Sequence, residues 1–286
     1  MAVVIEVGPR DGLQNEARTI PTDVKVAYVD ALTASGLTEI EVSAFVSTPR
    51  IPQLADAELV FERIARRPGV ATVALVPNLQ GFERALASHV DAVAVFTAAS
   101  ETFNAKNINT SIAGAFDRFV PVLAEAKKHA VRVRGYVSTA FWCPYEGRIA
   151  PAPVVDVTRQ LLDLGVDEIS IGDTIGKASP DEVRTLLDAL GAVVPMPKLA
   201  LHFHDTFGNA RANVLVGAAY GVERFDSSAG GIGGCPYAPG ARGNIATELL
   251  IRTLRAAGID VAGDLAKIDQ ARAIIAPYVG HPLNAA

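Results

Sequence analysis

Eight short runs rich in β-branched residues recur along the chain: VVIEV (3–7), EIEVS (39–43), ATVALV (71–76), DAVAVF (91–96), VRVRGYV (131–137), DEISIG (167–172), LALHFH (199–204) and ERFDSS (223–228). Between most of them lie stretches with helical spacing, such as Val24, Tyr28 and Leu32, or Val155, Leu161 and Leu162. Strands that alternate with helices build βαβ units around a parallel sheet. Eight of them predict a (β/α)8 TIM barrel, and the tail adds helical stretches at 245–257 and 264–276. The open doubly wound sheet is the rival fold, but EVGPRDGLQ does not fit its G-x-G-x-x-G fingerprint. Three seams, SGLTEIEVS, LGVDEISIG and YGVERFDSS, place Gly36, Gly165 and Gly221 where a helix should end in a left-handed residue. The 286 residues, half of them apolar, suit one catalytic barrel over 1–286, with C-terminal helices from about 245 packed on it. The proline-rich stretch Pro144 to Pro153 is expected to be a long loop after the fifth strand.

Charge and cysteine usage exclude several classes. The formal charge is 26 − 31 = −5, and no Lys/Arg-rich run marks a nucleic-acid binder. The N-terminus meets Glu6 and Arg10 too early for a secretory apolar segment, and no stretch is long and apolar enough to span a membrane. Two cysteines 92 positions apart, Cys143 and Cys235, make neither a disulfide framework nor a zinc ribbon. These features suit a cytoplasmic enzyme acting on a small molecule, with no nucleic-acid or membrane partner.

In a barrel the chemistry sits on the loops that follow the strands, and the polar residues of this chain gather there. Arg10 and Asp11 follow the first strand, and Glu41 sits near the end of the second. Asp173 follows the sixth, His202 and His204 end the seventh, and Cys235 lies in GGIGGCPYAPGARGN after the eighth. His202 and His204, two apart on a strand, leave the same face and can grip one divalent cation, with Asp11 the best-placed carboxylate. Nitrogen and oxygen donors without thiolate suit Mn²⁺ or Mg²⁺, with Zn²⁺, Co²⁺ or Fe²⁺ also compatible; two packed histidines are the alternative. Arg10 can offer a planar fork to a carboxylate or a developing oxyanion, or pair structurally with Glu41. Asp205 points away from the histidines and is expected to be structural. A thiol in a glycine-rich loop, as Cys235 is, can close over a bound substrate and act as a general acid.

The segments EVGPRDGLQNE, IEVSAFVSTPRIPQLAD, SETFNAKNIN, RGYVSTAFWCPYEG, EISIGDTIG, HFHDTFGNARAN and GGIGGCPYAPGARGNIATE closely resemble the 3-hydroxy-3-methylglutaryl-CoA lyase family. That family belongs to the metal-dependent barrel lyases and Claisen-type synthases marked by an R-D-G-x-Q turn. The resemblance implies a barrel that cleaves hydroxymethylglutaryl-CoA to acetyl-CoA and acetoacetate. It implies Asp11, His202, His204 and Asn244 as ligands of Mg²⁺ or Mn²⁺, Arg10 as enolate stabiliser, and Cys235 as the acid. Glu41, Asp173 and Glu248 would support the site, and Lys106 and Asn107 would meet the CoA moiety. Either Asp11 or water takes the substrate's hydroxyl proton. A lyase for a longer-branched acyl-CoA, or a synthase such as 2-isopropylmalate or homocitrate synthase, is the alternative. Ala44 stands where many relatives carry a hydroxyl, so a substrate hydrogen bond is either missing or supplied by Ser43. A homodimer is expected from relatives alone.

Overall fold

The computed structural model describes residues 1–46, 51–233 and 243–283. The eight runs become β1 (Val3–Glu6), β2 (Glu39–Ala44), β3 (Ala71–Leu75), β4 (Ala92–Ala98), β5 (Arg132–Ser138), β6 (Glu168–Asp173), β7 (Leu199–Phe203) and β8 (Arg224–Ser227). All pair in parallel in the order β1-β8-β7-β6-β5-β4-β3-β2, and β1 also pairs with β2, which closes the barrel. The helices are α1 (Thr22–Thr33), α2 (Ala57–Arg63), α3 (Leu79–Ala87), α4 (Glu101–Ile108), α5 (Ile112–Lys128), α6 (Pro151–Asp163), α7 (Pro180–Leu190), α8 (Ala210–Ala219), α9 (Thr247–Ala256) and α10 (Leu265–Ile275). The last of these packs against α1, near the start of the chain. Among the described residues no helix is long and apolar enough to cross a membrane.

Local chemistry explains these boundaries. Asn78 after β3 and Ser100 after β4 accept the amides of Gly81 and Phe103, and so cap α3 and α4. Ser179 and Glu182 form a reciprocal capping box at α7. That helix buries Val183, Leu186, Leu187 and Leu190, an i, i+3, i+4, i+7 stripe whose members each contribute roughly 1.5–3 kcal/mol. Gly36, Gly165 and Gly221 have φ of 86°, 93° and 85°, the left-handed junctions that the three seams predict. The stretch from Pro144 is not one long loop: Gly147–Arg148 pairs antiparallel with Trp142–Cys143 in a small hairpin, and α6 already begins at Pro151. A proline at the first helical position gives up an amide that would have no partner there.

Two features of the barrel depart from simple alternation. In β2 the register against β3 shifts between Glu41 and Ser43, which pair with Val73 and Ala74, so Val42 is an extra residue. The bulge resets the parity: Ala44 pairs with Leu75 and packs with Val73, Leu75 and Tyr136 inside the barrel. Ser43 takes the parity of Ala74, which packs in the shell between sheet and helices. Ser43 therefore does not supply a hydroxyl to the cavity.

The second departure is electrostatic. Barrels of this kind usually fill their interior with layers of branched apolar side chains. Here the small interior groups Ile5, Val7 and Ala200 form one cluster, and Ala44, Val73, Leu75, Ala92 and Ala94 belong to another. Between them runs a column of paired charges. Arg132 reaches Glu39 at 2.6 Å and Glu168 at 3.4 Å. Arg224 reaches Glu39 at 2.5 Å and also pairs with Glu168. Arg134 holds Glu168 at 2.6 Å and pairs with Asp226. Contacts between β2 and β5 can only pass through the lumen, so these side chains replace part of the usual apolar filling. Each buried charge meets an opposite one, as the cost of desolvation requires.

Candidate active site

After β1 the chain makes one π-helical turn, Gly8–Gly12. The Val7 carbonyl accepts the amides of Arg10 at 3.2 Å, Asp11 at 2.7 Å and Gly12 at 3.2 Å. Such wide turns are rare and concentrate at functional sites. Gly8 is needed for space: a Cβ there would lie 2.5 Å from Tyr28 Oη and 2.6 Å from Glu6 Oε1. The turn thus sits tightly on buried polar groups and fixes where Arg10 and Asp11 emerge.

Arg10 donates Nε to Glu41 Oε1 at 2.9 Å, Nη2 to Oε2 at 3.1 Å, and Nη1 to Asp11 Oδ1 at 2.8 Å. Glu41 is fully buried and also accepts the Tyr136 hydroxyl at 2.5 Å. Burial would pull the Arg10 guanidinium down, but Glu41 and then Asp11 outweigh it and raise its pKa. Three of the five guanidinium N–H groups are committed in this way, while Arg10 still lines the main cavity.

Asp11, His202 and His204 each bring one ligand atom within 4.8 Å of the others, the metal-capable cluster found among the described residues. The donor set fits a divalent cation: one carboxylate and two imidazoles. His202 Nδ1 lies 3.0 Å from Asp226 Oδ2. An ionised carboxylate only accepts, so the ring proton sits on Nδ1, and Nε2, 4.0 Å from Asp11 Oδ2, is free to ligate. His204 Nδ1 is buried with no hydrogen-bond partner among the described residues. Asn244, drawn in by a bridge to His204, donates its amide to Asp11 Oδ2 at 2.8 Å and to Ile232 O at 3.1 Å. Burial would raise Asp11, yet Arg10 and the two histidines bring its pKa down to about 2. Burial and the neighbouring His202 lower His204 to about 4. Burial also opposes protonation of His202, but Asp226 and then Asp11 overcome it and raise that pKa.

These groups open into a cavity of about 900 Å³, lined by Arg10, Asp11, His202 and His204 together with Ala44, Leu75, Phe96, Tyr136 and Asn107. The other residues expected at the site have less direct places. Asp173 ends β6 behind the wall, where it accepts the amides of Lys177 at 3.1 Å and Ala178 at 3.0 Å. Burial raises its pKa to about 7 against those hydrogen bonds. Glu248 accepts the Gly230 amide at 2.9 Å and braces the segment after β8. The Lys106 ammonium sits 4.5 Å from the centre of the Tyr145 ring, outside the lining of the cavity. Asp205 holds the start of α8 through the Ala210 amide at 3.2 Å. Cys143 is buried with Sγ 3.1 Å from Ser100 Oγ. Cys235 lies outside the described residues.

Three residues at the site have no place in the sequence reading: Tyr136, Arg134 and Asp226. The signal was present as polar residues at period two, Arg132, Arg134 and Tyr136, in a strand that a parallel barrel should bury on both faces.

The HMGL-like family profile matches residues 2–275. The chain is 49% identical over 274 residues to the 3-hydroxy-3-isohexenylglutaryl-CoA/hydroxy-methylglutaryl-CoA lyase of Pseudomonas aeruginosa, covering 96% of this chain and 91% of that one. It is 46% identical over 281 residues to the cytoplasmic 3-hydroxy-3-methylglutaryl-CoA lyase of Rattus norvegicus, covering 98% and 82%. Among solved structures, the HMG-CoA lyase of Brucella melitensis superposes with a TM-score of 0.96 at 43% identity, covering 98% and 99%. An HMG-CoA lyase of Acinetobacter baumannii, solved with coenzyme A and 3-methylmalate, gives 0.93 at 37% identity, covering 99% and 92%.

Proposed function

The chain belongs to the HMGL-like family, and on that premise we infer that it is a hydroxymethylglutaryl-CoA lyase, splitting 3-hydroxy-3-methylglutaryl-CoA into acetyl-CoA and acetoacetate. The observation that carries the reading is the meeting of Arg10 with the Asp11, His202 and His204 cluster in one cavity. Asp11, His202 and His204 would hold a divalent cation, Mg²⁺ or Mn²⁺, and the Asn244 amide oxygen is assigned as a fourth donor. When bound, the ion polarises the substrate's tertiary hydroxyl and lowers its pKa.

The residues of the chain supply the rest. Loss of the hydroxyl proton lets the C2–C3 bond break; C3 becomes the ketone of acetoacetate, and the electron pair passes to the thioester as an enolate. The hydroxyl proton is assigned to Asp11 or to a water beside it, the carboxylate being held low, despite burial, by Arg10 and the two histidines. Arg10 faces the cavity with its fork braced by Glu41, and its remaining N–H groups stabilise the enolate oxygen. Cys235 then delivers a proton to C2 and is recharged from solvent. Asp173 and Glu248 act at one remove by fixing neighbouring backbone, and Asn107 and Lys106 are assigned to the CoA moiety. The acting form is expected to be a homodimer, which light scattering of the purified chain decides.

The decisive assay supplies hydroxymethylglutaryl-CoA with Mg²⁺ or Mn²⁺ and follows acetoacetate. Release that stops with EDTA supports the reading. No release, with condensation of acetyl-CoA onto a 2-keto acid instead, would transfer the chain to the synthases. A second reading, cleavage of longer-branched substrates, draws on one observation. The bulge in β2 turns the Ala44 methyl inward beside Leu75, an apolar part of the cavity lining that suits an alkyl branch. A kcat/KM for 3-hydroxy-3-isohexenylglutaryl-CoA within about tenfold of that for the methyl substrate would support it, since a hydrophobic pocket discriminates weakly between alkyl groups.

A further inference from the structure

Arg134 touches neither the cavity nor the metal-capable cluster, yet it is the largest fully buried side chain among the described residues. Three groups take its N–H donors: Glu168 accepts Nε at 2.6 Å, Tyr136 Oη accepts Nη1 at 2.7 Å, and Asp226 Oδ1 accepts Nη2. Two of these partners lead to the site by separate routes. Asp226 presents its other oxygen, Oδ2, to His202 Nδ1 at 3.0 Å and to Ser170 Oγ at 3.0 Å. Tyr136, having accepted from Arg134, donates to Glu41 Oε2 at 2.5 Å, and Glu41 grips the Arg10 fork.

We propose that Arg134 is the common positioning residue of the site, setting the His202 ring through Asp226 and the Arg10 fork through Tyr136 and Glu41. The guanidinium is planar and its donors are fixed relative to one another. It therefore fixes the relative orientation of a candidate metal ligand on β7 and a substrate-facing cation after β1. Asp226, held by Arg134, can only accept from His202, which keeps the ring proton on Nδ1 and leaves Nε2 for the ion. Tyr136 has one hydroxyl hydrogen; because Arg134 can only donate, that hydrogen must go to Glu41. The two routes part at Arg134 and meet again at Asp11, which accepts from Arg10 at 2.8 Å and lies 4.0 Å from His202 Nε2. The inference rests on the lyase reading for the Arg10 route alone, since the His202 route concerns only the cation.

Single-route variants test it, each measured for Mn²⁺ binding without substrate, for kcat and KM, and for thermal midpoint. Asp226→Asn must turn its amide either to His202 or to Arg134, so Mn²⁺ affinity is expected to fall about 10–100-fold. Tyr136→Phe keeps the ring and loses only the hydroxyl. It is expected to weaken Mn²⁺ binding far less than Asp226→Asn, because it reaches the cluster only through Arg10 and Asp11, and to lower kcat about tenfold, as for a lost hydrogen bond to a charged group. Arg134→Lys, a point charge in place of a fork, should show both losses. Tyr136→Phe weakening Mn²⁺ as strongly as Asp226→Asn would overturn the proposal. So would lowered thermal midpoints in all three with Mn²⁺ affinity and kcat of the folded protein untouched, because that pattern belongs to a purely structural ion cluster. If no substrate turns over, the lyase reading fails, and the Mn²⁺ measurements still decide the His202 route.

Discussion

Arg10 and Glu41 meet through two parallel hydrogen bonds of 2.9 and 3.1 Å, with the carboxylate wholly buried. Removing one member of such a pair strands the other away from water, at about 3–5 kcal/mol. Glu41→Ala is therefore expected to lower the urea midpoint strongly as well as the activity. Arg10→Lys keeps a charge but loses the fork, and kcat should fall about 10²–10³-fold, the scale of one lost oxyanion donor, with a smaller loss of stability. Equal stability losses in the two variants would contradict this account.

A second expectation concerns the thiol. Cys235→Ser should lower kcat by about 10²–10⁴, the range for losing a general acid, while Mn²⁺ binding persists. Near-full turnover in that variant removes the thiol from the mechanism.

Chelation tests the cation directly. Activity should vanish with EDTA and return with Mg²⁺ or Mn²⁺, and His204→Ala should require far more metal for half-maximal rate. A purified enzyme indifferent to chelators would refute the donor set Asp11, His202 and His204.

Glu6 gives a pH prediction away from the candidate ligands. It accepts the amides of Gly8 at 2.9 Å and Ala229 at 3.0 Å and the Thr247 hydroxyl at 2.6 Å, yet burial outweighs these and raises its pKa from 4.5 to about 7. The folded state thus keeps a proton that the unfolded chain releases. This stabilisation is complete below pH 4.5 and is lost as pH rises through 7, a change of roughly 3 kcal/mol. Asp173 shifts in the same sense. Glu6→Gln, neutral at every pH, should flatten part of the fall in urea midpoint between pH 5 and 8. An unchanged slope would mean that Glu6 is ionised in the fold.

Gly8→Ala is expected to destabilise by about 1–3 kcal/mol, since the new methyl meets Tyr28 Oη, Glu6 Oε1 and Ser228 Oγ within 2.9 Å. Chemical denaturation measures it. A neutral result would show that the turn relaxes, and kcat should then report displaced Arg10 and Asp11.

The barrel was legible because β-branched runs mark its strands and, before β2, β6 and β8, a glycine ends the preceding helix. The clustering of Arg10, Asp11, His202 and His204 was legible from strand order alone, since each lies at or just after the end of β1 or β7. Less accessible were features that depend on parity or on partners distant in sequence. Nothing local in EIEVSA announces that Val42 is an extra residue, so the inward turn of Ala44 emerged only from pairing with β3. Likewise the period-two pattern of β5 marks Arg134 as unusual, but its partner Asp226 lies 92 positions away and nothing local names it. The strand end points to Asp173 as a site group, and only the family resemblance points to Glu248; both turn carboxylate oxygens to backbone amides.

The charge column has a consequence for assembly. Glu39 lies in the first half of the barrel, and its cations Arg132 and Arg224 both lie in the second. A fragment of β1 to β4 would leave that carboxylate unneutralised, and a fragment of β5 to β8 would hold three arginines against two acids. Neither semicircle is electrically whole. The pairing of these charges is therefore completed only when the two halves meet and close the barrel over them.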